Sequence, residues 1–178
     1  MTKAPLSLFV PCKNEEANLA RCLESVQWVD EAFIVDSQST DRTGSIAQEL
    51  GAKVVQFEYK GGWPKKKNWA LENLPFSHEW VLILDADECL PPEAEEEIRK
   101  IITNPDDKNA GYWINRRYFF LGQPLVYTGR TRAKKKVVFV GDPAAYAMAI
   151  RNDKTLSRET DLIRKFRQEF ETTQTPNS

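Results

Sequence analysis

Five short apolar runs, separated by stretches with helical spacing, constrain the fold of this chain more than any other feature. They are LSLFV (6–10), AFIVD (32–36), KVVQF (53–57), WVLIL (80–84) and GYWINRRYFF (111–120). Short apolar runs bounded by turn-forming residues read as strands buried on both faces. The first gap opens with Asn14-Glu15-Glu16, which resembles a helix start: Asn can cap free N–H groups, and acids favour the positive end of the helix dipole. Leu19, Cys22, Leu23 and Val26 then recur at i, i+3, i+4 and i+7, an apolar stripe. In the second gap Ile46, Ala47 and Leu50 are expected to face inward, and Gly51 to close the helix. Residues 66–74 read as a third helix stopped by Pro75. Pro91-Pro92 open a fourth, carrying Ile98, Ile101 and Ile102. This alternation predicts an α/β fold with a mostly parallel sheet and helices on both faces.

In such sheets ligands bind beyond the carboxyl ends of the strands. The polar residues there are Lys13-Asn14-Glu15, 36–41 and 85–88, and they are expected along one edge. The fourth run is the most informative. Its aliphatic residues lead straight into Asp85, Ala86, Asp87 and Glu88. Like charges this close repel and raise one another's pKa. Either water solvates them in a loop or something positive belongs beside them. A hard divalent cation takes oxygen ligands, and one or two carboxylates plus substrate phosphates suffice. In an extended segment Asp85 and Asp87 can share a face.

The ordered segments VPCKNEEANLARCLESV, IVDSQSTDRT, KGGWPKKKNWAL and LILDADE resemble family two glycosyltransferases. Their flavour is similar to lipopolysaccharide-core β-glucosyltransferases. The resemblance runs from about residue 5 to 121. It implies the nucleotide-diphospho-sugar transferase fold called GT-A, with a shortened C-terminal part. It implies that Pro11, Cys12, Lys13, Asn14 and Glu15 border the base and ribose, and that Asp36 hydrogen-bonds the base. Asp85, with Ala86 beside it, would touch ribose or diphosphate, and Asp87 would bind Mn²⁺ or Mg²⁺. Lys67 and Asn68 would lie by the sugar-nucleotide. Cys12 stands where many relatives have an aromatic, which weakens stacking on the base. The implied chemistry is transfer of a sugar, with inversion, from a nucleotide-diphospho-sugar to a glycan or lipid-linked acceptor of the cell envelope. An inactive nucleotide-sugar-binding remnant is the alternative. A nucleotidyltransferase ranks last, because VPCKNEE lacks the glycines of a triphosphate loop.

Plainer readings stand beside several of these roles. Asn14 can be only a helix cap, Asp41 is expected to cap the second helix, and 65–67 can be a solvated lysine face. Trp63 and Trp69 can pack in the core or stack on a sugar. The lone His78 receives no role, and Cys89 is expected to be a small buried apolar group.

A boundary is expected near residue 125, between a nucleotide-sugar-binding core (1–125) and a divergent acceptor-side segment (126–178). In the latter VVFVGDP suggests a strand and turn. Leu162, Ile163, Phe166 and Phe170 suggest a helix starting near Ser157. No catalytic base is identified; Glu88 and Asp142 qualify by position only. The basic run Arg130, Arg132, Lys134, Lys135 and Lys136 suits a solvated loop, a phosphate-contacting loop or peripheral contact with an anionic membrane. The formal net charge is -1 over 178 residues, so no global field points to nucleic acid. Three cysteines without a CxxC pair predict a reducing compartment, with neither a disulfide framework nor a zinc site. The N-terminal apolar run stops at Pro11 without a small-residue cleavage site, so no signal peptide is expected. Together these predict a cytoplasmic protein.

Overall fold

A computed structural model describes residues 2–61, 65–104, 111–114, 119–120, 123–124 and 138–140. Trp63, the basic run at 130–136, Asp142, and the expected C-terminal helix and tail lie outside those residues.

Strands β1 (Ala4–Cys12), β2 (Val29–Asp36), β3 (Lys53–Gln56) and β4 (Val81–Ile83) alternate with helices α1 (Leu19–Glu24), α2 (Thr43–Glu49) and α3 (Lys66–Asn73). Helix α4 (Pro92–Ile102) follows, then β5 (Gly111–Trp113), β6 (Phe119–Phe120), β7 (Gln123–Pro124) and β8 (Val138–Val140). The main sheet has the order β3-β2-β1-β4-β8-β5. β1 to β4 pair in parallel, as their continuous apolar runs predict. β8 inserts antiparallel between β4 and β5. The expected fifth strand at 111–120 is therefore two: β5 joins the main sheet through β8, and β6 forms a hairpin ladder with β7. β8 is the strand suggested by VVFV, and it comes from beyond residue 125.

Alternation along the strands builds two cores. Leu6, Leu8, Val10 and Cys12 of β1, with Ile34, Leu82 and Leu84, pack with Leu19, Cys22 and Leu23 of α1, Val26 just after it, Ala47 of α2 and Ile98 of α4. Phe9, Phe33, Val35, Val81 and Ile83 face Ala70 and Leu71 of α3. Each fully buried Leu, Val or Phe contributes roughly 1.5–3 kcal/mol of transfer free energy, so both helical layers are held by this sheet.

The helices begin and end for identifiable reasons. α4 has Pro92 in its first turn, Glu93 and Glu95 at its positive end and Arg99 and Lys100 at its negative end. Gly51 takes φ 79° after α2, and its N–H donates to the Gln48 carbonyl. α3 ends at extended Leu74, ahead of Pro75. Two local expectations fail. α1 starts at Leu19 rather than near Asn14. Leu50 is the C-cap of α2 and 39% exposed, because the helix ends before that position can turn inward.

At the amino edge of the sheet lies a buried carboxylate. Glu31 Oε1 accepts from Ser7 Oγ (2.6 Å) and the Ser77 N–H (2.6 Å), and Oε2 accepts from Ser77 Oγ and Lys53 Nζ (both 3.2 Å). Burial alone would push this carboxyl up; the bonds from Ser7, Ser77 and Lys53 outweigh it and hold it below its ordinary value. Its stabilising contribution is therefore full above the unfolded value of 4.5 and is lost as pH falls through the lower folded value. We expect Glu31→Ala to cost about 1–3 kcal/mol at neutral pH, since it strands buried donors. Urea melts should show that gap narrowing in acid; a gap that stays constant down to pH 3 counts against the assignment.

Candidate functional site

The chain builds β1, β2 and β3 outward in one direction, then crosses back to lay β4 on the other side of β1. This is a topological switch point, where the loops leaving β1 and β4 diverge and open a crevice. Cys12, the last residue of β1, lies in register with Asp36, the last residue of β2. The three polar stretches expected at one edge do leave neighbouring strands there.

The loops after β1 and β2 are tied into one unit. Asn14 sits at φ 54°, a left-handed conformation that Asn tolerates. Its N–H donates to Ser39 Oγ (2.8 Å), and its Oδ1 accepts the Thr40 N–H (2.9 Å). The Glu15 N–H donates to Thr43 Oγ1 (2.8 Å), the Glu16 N–H to Asp41 Oδ2 (3.1 Å), and the Arg42 N–H to Glu16 Oε2 (3.0 Å). Asn14 is therefore a loop-to-loop tie, not a helix cap. Asp41 lies one residue before Arg42, the N-cap of α2, and takes up the Thr43 N–H (3.0 Å) and hydroxyl of the first turn. Asp36 is 3% exposed; its carboxylate accepts from the Ser39 N–H and hydroxyl and from Gln56 Nε2 (2.9 Å).

Helix α3 closes the crevice with two consecutive lysines. Lys66 Nζ donates to the Cys12 carbonyl (2.6 Å). Burial pushes its pKa down, partly offset by the nearby Cys12, Asp36 and Glu15. Lys67 Nζ pairs with Asp85 Oδ1 at 2.7 Å. Asn68 is buried, and Trp69 packs against Phe57 with ring centroids 5.3 Å apart and the planes tilted by 50°, which is core packing. Lys66 was not singled out by the sequence: its partner lies 54 positions away, and a lysine triplet reads as a solvated face.

The acidic stretch is a turn, not an extended segment. The Glu88 N–H donates to the Asp85 carbonyl (2.9 Å), and the Asp85 N–H donates to Glu88 Oε2 (2.8 Å). Cys22 Sγ of α1 also lies 3.7 Å from the Asp85 carbonyl. Asp85 is thus half-buried and leans to the α3 side, where Lys67 neutralises it. Asp87 is exposed at the tip of the turn, close enough to Cys22 to help raise that thiol. The strand alternation on which a shared face was expected ends with β4 at Ile83, before either carboxylate. Ala86 between them is buried against the α1 layer.

The remaining expected residues divide by exposure. Lys13 is exposed, and Pro11 and Glu15 are half-buried, with Glu15 Oε2 accepting from Asn18 Nδ2 (3.0 Å). The Cys12 side chain is 1% exposed and points into the α1 layer, so only its backbone reaches the crevice. Burial pushes the Cys12 and Cys22 thiols up to about 12, which makes both inert at neutral pH. Cys89, expected to be buried, is exposed.

Among the described residues no three Asp, Glu, His or Cys side chains gather to hold a metal. The acidic turn fits a hard ion in a narrower sense: Asp87 offers exposed carboxylate oxygens, and Asp85 is already neutralised by Lys67. That donor set suits a cation whose other ligands are phosphate oxygens and water.

Residues 7–167 match the model of Glycosyl transferase family 2, and the chain belongs to that family. It is 36% identical over 124 residues to the lipopolysaccharide core biosynthesis glycosyltransferase LpsC of Rhizobium meliloti, covering 67% of this chain and 45% of that one. It is 41% identical over 111 residues to an uncharacterized glycosyltransferase of Rickettsia felis, covering 61% of this chain and 38% of the relative. The matched segment thus spans less than half the length of either relative. A solved structure of glucosyl-3-phosphoglycerate synthase from Mycobacterium tuberculosis, in complex with Mn²⁺, UDP and glucosyl-3-phosphoglycerate, overlays with a TM-score of 0.45 at 24% identity, covering 56% of this chain and 40% of that one. Among the described residues no helix is long and apolar enough to cross a membrane.

Proposed function

We propose that this chain carries the donor-binding part of an inverting glycosyltransferase. It would move a sugar from a nucleotide-diphospho-sugar, with UDP as the favoured carrier, to a hydroxyl of a cell-envelope glycan or lipid-linked acceptor. One observation carries the reading: at the switch point, an immobilised Asp85–Lys67 pair stands beside the exposed Asp87. The tied loops at 14–16 and 39–43 would wall the nucleoside end, with Asp36 behind them toward the base. Lys67 and Asn68 would lie along the diphosphate and sugar. Mn²⁺ or Mg²⁺, held by Asp87 and the donor's own diphosphate oxygens, would supply positive charge for the leaving group. The acceptor oxygen would bond to the anomeric carbon as that carbon's bond to the diphosphate oxygen breaks on the opposite side, through an oxocarbenium-like state; the nucleoside diphosphate would leave and a carboxylate base would take the hydroxyl proton. We place the reaction in the cytoplasm; the basic residues at 130–136 suit a solvated loop first, then contact with the donor's phosphates or with an anionic membrane.

The test is a melting-temperature panel of nucleotide-sugars with and without Mn²⁺, followed by UDP release with envelope acceptors. A Mn²⁺-dependent shift with UDP-sugars and acceptor-dependent UDP release are the expected results. A shift without release reduces the chain to a donor-binding unit, and no shift with any nucleotide-sugar overturns the reading.

A further inference from the structure

We propose that Glu88 is a positioning residue, which clamps the acidic turn so that Asp87 is presented to the donor's diphosphate. This rests on the donor-binding reading above, and it gives Glu88 a structural part in place of that of a catalytic base.

The geometry is a reciprocal clasp. Glu88 gives its N–H to the Asp85 carbonyl at 2.9 Å and takes the Asp85 N–H on Oε2 at 2.8 Å. The second bond is charge-assisted, hence shorter and stronger than a neutral one. Three further contacts fix the same turn from outside. Lys67 Nζ holds Asp85 Oδ1 at 2.7 Å. Cys22 Sγ lies 3.7 Å from the Asp85 carbonyl, and the Leu90 N–H donates to Ser25 Oγ at 3.1 Å. Cys22 and Ser25 are one helical turn apart, so both ends of the segment from Asp85 to Leu90 are fastened to one face of α1. Asp85 is gripped at its N–H, carbonyl and carboxylate. Asp87, two residues on, is exposed. A fixed frame with one outward carboxylate spares the ordering entropy that a loose acidic loop would lose when a charged ligand arrives. Glu88 supplies the frame's internal bond through Oε2.

The test compares Glu88→Gln with Glu88→Leu in the full chain. The glutamine carbonyl can still accept the Asp85 N–H but carries no charge, cannot serve as a base and is at most a weak, neutral metal ligand; leucine does none of these. In ligand-free protein, we expect faster Asp85 amide exchange in Glu88→Leu and near wild-type exchange in Glu88→Gln. By calorimetry, Glu88→Leu should weaken Mn²⁺-dependent UDP-sugar binding about 10- to 100-fold, the usual cost of losing a group that orients a metal ligand. Metal-free binding should change less, KM should rise more than kcat falls, and Glu88→Gln should stay close to wild type throughout. Glutamine as impaired as leucine would overturn the proposal in favour of a charged role for Glu88. So would unchanged Asp85 exchange in Glu88→Leu. If Glu88→Leu does not fold, Glu88→Gln still decides, because a base or ligand role predicts its loss. If wild type itself binds no UDP-sugar, the donor-binding reading fails and takes this proposal with it.

Discussion

Asp87→Ala is expected to abolish the Mn²⁺-dependent part of any melting shift caused by a UDP-sugar, and to lower transfer about 100- to 1,000-fold. That range is the scale of losing one preorganised electrostatic contact to charge that develops in the transition state. The side chain is exposed, so its removal should leave the fold within about 0.5 kcal/mol of wild type. The effect is therefore a clean loss of ligand coupling. Asp85→Asn should behave differently. It weakens the 2.7 Å pair with Lys67 and frees a cation beside the proposed diphosphate path, so donor binding should fall less steeply than with Asp87→Ala. The measurement is the ligand-induced shift with Mn²⁺ minus the shift without it. A difference that survives intact in Asp87→Ala would remove the acidic turn from metal binding, and the donor would have to be held elsewhere.

How much of this was legible in advance depended on the range of the interactions. The parallel core was readable because LSLFV, AFIVD and WVLIL carry their two-sided burial in their own composition, and Gly51 announced the end of α2 by needing φ 79°. The edge that gathers Asn14, Asp36 and Asp85 followed from strand order alone. What failed depended on partners distant in sequence or on backbone that leaves the strand. β8 pairs with β4 across 59 positions from Val81 to Val140 and 57 from Leu82 to Phe139, and nothing in VVFV specifies an antiparallel insertion. Asp85 and Asp87 were expected on one face by alternation, but the Glu88 clasp folds that segment into a turn. Asn14 looked like a cap because capping and loop-tying use the same side-chain oxygen; only the position of Thr40 decides between them. Lys66 was invisible for the same reason, since its carbonyl partner belongs to another strand.

Phe9→Ala should be the most destabilising single change in the described core, at about 3–5 kcal/mol. Phe9 is 0% exposed at the centre of the sheet, in register with Phe33 of β2 and Ile83 of β4. Its ring stands 6.1 Å from that of Phe76, on the face covered by α3. Strands on both sides fix the backbone, so the cavity cannot close by moving β1, and α3 would have to sink toward it. Urea denaturation should show a lower midpoint at unchanged slope. Leu50→Ala, at a 39% exposed position, is the matched control and should stay within about 0.5 kcal/mol of wild type. Against a typical total of about 5–15 kcal/mol, the core variant would sit near the edge of folding. A cost below about 1 kcal/mol would mean that α3 collapses freely onto the smaller residue. The helix carrying Lys66 and Lys67 would then be a mobile wall rather than the fixed one that the donor crevice requires.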